Sequence, residues 1–158
     1  MSDSLFVSSR FNGPLKSGNG GYAAGAIAAF VDGGIAEVSL RSPVPLGSDL
    51  SVETASDGSV RVDDGETLVA EARSVDELGV RPPRSVGLEG AREAAGRYRG
   101  LSGGQFSRCF VCGLDREDSM GVFAGEVEER GMVASPWTPP AWAADGEGQV
   151  RPEIVWAA

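Results

Sequence analysis

From Phe11 to Val31 the chain passes from a glycine-rich turn into a segment that is apolar on nearly every side. The turn reads Phe11-Asn12-Gly13-Pro14-Leu15-Lys16-Ser17-Gly18-Asn19-Gly20-Gly21-Tyr22, and Ala23 to Val31 follows it. This pattern predicts a helix from about Gly20 to Val31, with Asn19 as its N-cap and Asp32-Gly33-Gly34 as its end. A helix with no polar face has to be surrounded by protein. Gly20, Gly21 and Gly25, with Ala23, Ala24, Ala26, Ala28 and Ala29, keep it thin. Each helical glycine costs roughly 1 kcal/mol against alanine, so close packing or access for a ligand is expected to require them. The first turn leaves backbone N–H groups unpaired at the positive end of the helix dipole. Gly20 and Gly21 lack the Cβ that would hold a guest away, so an anion could bind there or a carbonyl be polarised.

Strand patterns surround this helix. Leu5-Phe6-Val7 predicts a short opening strand. Ala36, Val38 and Leu40 alternate with Glu37, Ser39 and Arg41, and Pro43 and Pro45 then interrupt or edge the sheet. Leu50, Val52 and Thr54 alternate again. Asp57-Gly58 predicts a hairpin turn before Val60 and Val62, and Asp63-Asp64-Gly65 a second turn before Leu68, Ala70 and Ala72. The fold class expected is α+β, an antiparallel sheet wrapped around one central helix.

The second half reads differently. Arg81-Pro82-Pro83-Arg84 has the composition of a linker, Leu88 to Tyr98 predicts a short polar helix, and Leu101-Ser102-Gly103-Gly104-Gln105 predicts a joint. Arg108 to Cys112 and Met120 to Phe123 look like strand pieces. Glu126 to Glu129 and Met132 to Ser135 predict a hairpin through Arg130-Gly131. A long loop starts at Trp137-Thr138-Pro139-Pro140, and Pro152 stands where a helix begins. The expected units are 1–76, a linker over 77–106, and 107–158.

Composition removes several classes of function. The chain has 158 residues and a net charge of −9, which argues against a nucleic-acid surface. A phosphate-bearing ligand would need a local basic spot, for which Arg10, Lys16 and Arg41 are the nearest candidates to the glycine turn in sequence. There is no histidine, so neither a Ser-His-Asp triad nor a His-liganded metal can form within one chain. No apolar run reaches the length of a membrane span, and the start lacks the pattern of a secretory signal. Cytoplasmic residence is the expectation, with no membrane partner and no cofactor.

Cys109-Phe110-Val111-Cys112-Gly113 is a single CxxC. It supplies half of a tetrahedral zinc site. One reading places the thiols in a strand on either side of a bulge; another places zinc between two subunits, each giving its pair. Trp137, Trp142 and Trp156 either cover a ligand pocket or mark surface that buries against further protein.

Three patterns resemble the hotdog-fold acyl-CoA thioesterase superfamily, in its double-hotdog, acyl-CoA thioesterase II-like branch. Asn19-Gly20-Gly21-Tyr22 is similar to the branch's HGGY helix entrance, with Asn in place of His. Leu40-Arg41-Ser42-Pro43-Val44-Pro45-Leu46-Gly47 is similar to its LRPVPPG segment, and Leu68-Val69-Ala70-Glu71-Ala72 to the strand closing its first hotdog. Val150-Arg151-Pro152-Glu153 leads into the place of a second central helix, so 107–158 reads as a partial second repeat. A complete repeat would need further strands, which either lie in a longer chain or come from another subunit.

The resemblance implies hydrolysis of an acyl-CoA thioester to a free acid and CoA, in a homo-oligomer. It implies that Gly20 and Gly21 offer N–H groups to the oxyanion, that Asn19 orients the carbonyl or water, and that Glu153 is the base. Tyr22 would line an acyl tunnel, and Lys16 and Arg41 would meet CoA. Each has a plainer reading: Asn19 as a cap only, Tyr22 as a packed aromatic, Glu153 as a dipole partner, and the glycines as thin packing surface. Asp32 lies at the wrong end of the helix for the chemistry. The rival function is an acyl-binding or assembly domain without turnover.

Overall fold

The computed structural model describes residues 3–102 and 104–158; Met1, Ser2 and Gly103 of the expected 101–105 joint lie outside them. Strands β1 (Asp3–Phe6), β2 (Ala36–Leu40), β3 (Asp49–Thr54), β4 (Val60–Asp64) and β5 (Thr67–Ser74) form one antiparallel sheet in the order β1-β3-β4-β5-β2. Helix α1 (Gly20–Ala28) lies between β1 and β2 in sequence, and those strands are the two opposite edges of the sheet. The connection therefore crosses the full width of the sheet. Tyr22, Ala23 and Ile27 of α1 join Leu5, Val7, Leu50, Val52, Val60, Val62, Ala70 and Ala72 in one core. The helix stops three residues before the expected Val31, although Phe30 and Val31 still bond back to the last turn.

The strand alternation holds for β3 and β4, where Leu50, Val52, Val60 and Val62 all turn inward. In β5 it breaks. Val62 pairs with Ala70 but Asp63 pairs with Leu68, leaving Val69 as an extra residue at a bulge. Val69 and Ala70 are consequently both buried, and Leu68 of the predicted inward face is only half-buried. The bulge leaves the Val69 carbonyl free to accept from the Arg41 N–H at 2.8 Å and the Ser42 N–H at 3.3 Å, which guides the chain off the edge of β2.

Helix α2 (Leu88–Ala95) and the hairpin β6 (Gly125–Val127) and β7 (Met132–Ala134) pack together, with Ala91 and Ala94 buried. A Cβ at Gly125 would collide with the Ala94 carbonyl, so only glycine permits this approach. The hairpin turns through Glu129 and Gly131, both at positive φ. Within the expected linker at 77–106, residues 77–85 are exposed chain, and the helix predicted over Leu88 to Tyr98 is α2, which ends at Ala95 and packs on the hairpin. The expected strand pieces at 108–112 and 120–123 are corrected. They are turn and extended chain held by two bonds, Met120 N–H to the Phe110 carbonyl (2.8 Å) and Val122 N–H to the Val111 carbonyl (3.1 Å).

Helix α3 (Pro152–Ala157) begins at its proline as the sequence predicts and runs antiparallel to α1. Gly21 faces Trp156 and Ala157, and Gly25 faces Glu153 and Trp156. Among the described residues no helix is long and apolar enough to cross a membrane.

Candidate functional site

The start of α1 is assembled by local rules. Asn19 is extended, and its side-chain oxygen accepts from the Tyr22 N–H at 2.9 Å while its carbonyl accepts from the Ala23 N–H. Its own N–H donates to the Phe11 carbonyl at 2.8 Å, which fixes the turn beneath the helix. The N–H groups of Gly20 and Gly21 have no acceptor among the described residues. These are the open donors that the sequence points to.

The two glycines differ in what lies beside them. A Cβ on Gly21 would sit 2.3 Å from the Trp156 carbonyl oxygen and 2.9 Å from the Ala157 Cα. The missing side chain of Gly21 is therefore replaced by the backbone of α3. A Cβ on Gly20 would meet only the Leu40 Cδ1, at 3.3 Å, the tip of a movable side chain. Of the pair, Gly20 has the more yielding surroundings.

Other candidates are dispersed. Tyr22 is buried and stacks on Phe11 with centroids 4.0 Å apart, its edge against Phe110. This is a packed aromatic; burial, and then the negative Glu153, raise its phenol pKa. Glu153 pairs with Arg151 at 3.3 Å. It lies against Gly25, one turn along α1 from the tip, about 6 Å down the axis. Arg41 pairs with Glu71 at 2.8 Å, among the polar side chains of β2 and β5. Lys16 is exposed in the turn. Arg10 pairs with Asp118 at 3.1 Å and lies over the Trp142 ring at 4.2 Å.

The structure brings Asn19 to an unexpected neighbour. Its amide nitrogen approaches the Cys109 sulfur at 4.0 Å. The Cys112 thiol hydrogen-bonds the same sulfur, as do the N–H groups of Cys112 and Val111. These donors outweigh burial and hold the Cys109 thiol well below its usual range, while hydrogen bonding to Cys109 and burial push Cys112 up. Tyr98 donates to the Cys112 carbonyl at 3.3 Å.

A clamp that sequence reasoning missed holds this loop to the glycine turn. Arg116 donates to the Asn12 side-chain oxygen (2.8 Å), the Arg108 carbonyl (3.1 Å), the Arg10 carbonyl (3.0 Å) and both oxygens of Asp118. Asn12, buried, returns a bond to the Arg108 carbonyl at 3.0 Å. Nothing in the spacing of these residues pointed to the pairing, because Asn12 and Arg116 are 104 positions apart. The hydrogen bonds of Arg116, then its charge and that of Arg10, hold the Asp118 carboxyl below its ordinary value. A depressed carboxyl stabilises the fold above its unfolded pKa and loses that contribution as pH falls through the folded value. Asp118→Asn is expected to lower stability at pH 7 by under about 1 kcal/mol, since the side chain is 46% exposed and screened by water. The gap to wild type should close below about pH 4. Urea midpoints at pH 7 and pH 3 check this; an equal gap at both would mean that charge is not the cause.

Comparison with protein-family models, with curated proteins and with solved structures finds no match to this chain.

Proposed function

We propose that the chain is a hotdog-type domain of acyl-CoA thioesterase kind, which seats a thioester carbonyl at the start of α1 and hydrolyses it to a free acid and CoA. The observation that carries this reading is the pair of N–H groups at Gly20 and Gly21, unpartnered among the described residues, at the positive end of a helix that joins the two edge strands of an antiparallel sheet. A developing oxyanion gains most from donors already fixed in place. Gly20 serves as the nearer donor, because only the Leu40 methyl has to move for a guest. Asn19, committed to capping through its side-chain oxygen, positions that donor, while its amide nitrogen faces the Cys109 sulfur. The hotdog assignment rests on the crossing connection and the strand order, and pairing of such domains through the free edge of β2 would give a homo-oligomer.

A second reading, binding without turnover, is favoured by the position of Glu153. A base must reach the attacking water within hydrogen-bond distance, directly or through one more water. Glu153 is ion-paired and sits beside Gly25 rather than at the tip. Thiol release across short, medium and aromatic acyl-CoAs separates the readings. The hydrolase reading expects turnover that falls on the order of 100-fold in Glu153→Gln and is retained in Asp32→Ala. Saturable acyl-CoA binding with no thiol release selects the binding domain, and neither binding nor release defeats both.

A further inference from the structure

The CxxC loop has no part in the thioester reading, and its geometry is built around sulfur. We propose that Cys109 and Cys112 are the two thiolate ligands which each copy of this chain gives to a zinc ion shared with a second copy.

The loop folds back tightly on itself. The Gly113 N–H donates to the Cys109 carbonyl at 2.8 Å, the Cys109 N–H to the Phe106 carbonyl at 2.8 Å, and the Asp115 N–H to the Ser107 carbonyl at 2.8 Å. A Cβ at Gly113 would fall 2.5 Å from the Cys109 oxygen and 2.7 Å from both the Cys109 nitrogen and the Ser107 oxygen. Those are backbone atoms that cannot give way, so glycine is required where the turn closes over the thiols. The Asn19 amide nitrogen approaches the Cys109 sulfur at 4.0 Å. A donor of this kind disperses the charge of a metal-bound thiolate and fixes its direction.

The two sulfurs are free thiols near one another. Cys109 is buried, and Cys112 is half-buried beside an opening of about 320 Å³ lined by Tyr98, Arg99, Phe106 and Ser107. Metal therefore enters from the Cys112 side. Structural zinc bound by thiolates is tetrahedral, with four protein ligands. The sequence has no further cysteine and no histidine. Among the described residues no group of three or more ligating side chains gathers. Two-fold pairing of copies completes the set by presenting the same knuckle twice. Four thiolates around one divalent ion leave net negative charge, and Arg99 at the rim of the opening offsets it from each copy.

The test is cobalt titration of the whole reduced chain, since tetrahedral cobalt thiolates absorb strongly in the visible and near ultraviolet. The expected result is thiolate-to-cobalt bands that saturate at one cobalt per two chains, bleach on adding zinc, and rise together with dimer mass in light scattering. Cys109→Ser and Cys112→Ser should each abolish the bands. Should a variant misfold, wild type decides through alkylation: zinc should protect both thiols from iodoacetamide, read by intact mass. No thiolate bands, alkylation unaffected by zinc, bands that persist in a folded serine variant, or one cobalt per monomeric chain would each overturn the proposal.

Discussion

Phe110→Ala is expected to cost about 3–5 kcal/mol, the largest loss from any single substitution considered, read as a fall in the urea midpoint with an unchanged slope. That is at least about a fifth of the stability of an ordinary domain, and most of it in a marginal one. Phe110 is wholly buried and is the hub of an aromatic cluster. Its ring meets Phe11 edge-on at 5.2 Å, Tyr22 edge-on at 5.8 Å and Trp142 at 6.3 Å. Phe11 belongs to the glycine turn, Tyr22 to α1 and Trp142 to the later loop, so one side chain joins three distant stretches. Its backbone donates to the Asn12 carbonyl at 2.9 Å and accepts from Met120, bonds that alanine keeps. The loss is therefore one of ring packing and of the cavity left behind. Collapse is limited, because Arg116 pins the surrounding loop through Asn12 and Asp118. A loss below about 1.5 kcal/mol would mean that the cluster closes over the gap and that the halves of the chain are joined elsewhere.

The legible part of this fold was written in local periodicity. β3, β4, α1, the hairpin through Arg130-Gly131 and the proline start of α3 all follow from spacing and turn chemistry over a few residues. β5 was half legible, since a bulge shifts the inward face by one residue and alternation cannot report where a ladder slips. The loop at 108–112 has the sequence pattern of a strand because Phe110 and Val111 are apolar and β-prone. What bends it is Gly113 closing on Cys109 and a guanidinium gripping the Arg108 carbonyl, and neither is a periodic feature. At the site, the cap at Asn19 and the open donors were legible as helix-end chemistry. The partners were not: the α3 backbone against Gly21 and Gly25, and the sulfur beside Asn19, arise from chain more than 80 residues downstream.

Because the two glycines at the start of α1 serve different neighbours, alanine should separate them. Gly21→Ala places its methyl 2.3 Å from the Trp156 carbonyl oxygen and 2.9 Å from the Ala157 Cα, both backbone atoms of α3. Relief requires α3 to draw away from α1. That loosens Ile154, which is wholly buried and stabilises the fold by roughly 1.5–3 kcal/mol through burial alone. Overpacking of this kind costs about 1–3 kcal/mol, and the gain in helix propensity returns at most about 1 kcal/mol of it. Gly25→Ala meets the Glu153 Cα at 2.6 Å and the Trp156 Cβ at 2.8 Å, so it should behave alike. Gly20→Ala meets one methyl at 3.3 Å. It should leave stability unchanged or slightly raised, yet place a Cβ beside the donor proposed to meet the thioester. The expected pattern is a net loss of about 2 kcal/mol for Gly21→Ala and Gly25→Ala in chemical denaturation, with Trp156 becoming more exposed to acrylamide quenching in both. Gly20→Ala should keep the wild-type midpoint and lose acyl-CoA binding or turnover. If all three variants melt with wild type, α3 does not sit on α1 in solution, and the tip of the helix is open at Gly21 as well as at Gly20. If Gly20→Ala keeps both its stability and its ligand, the start of α1 is a capped helix end and nothing more.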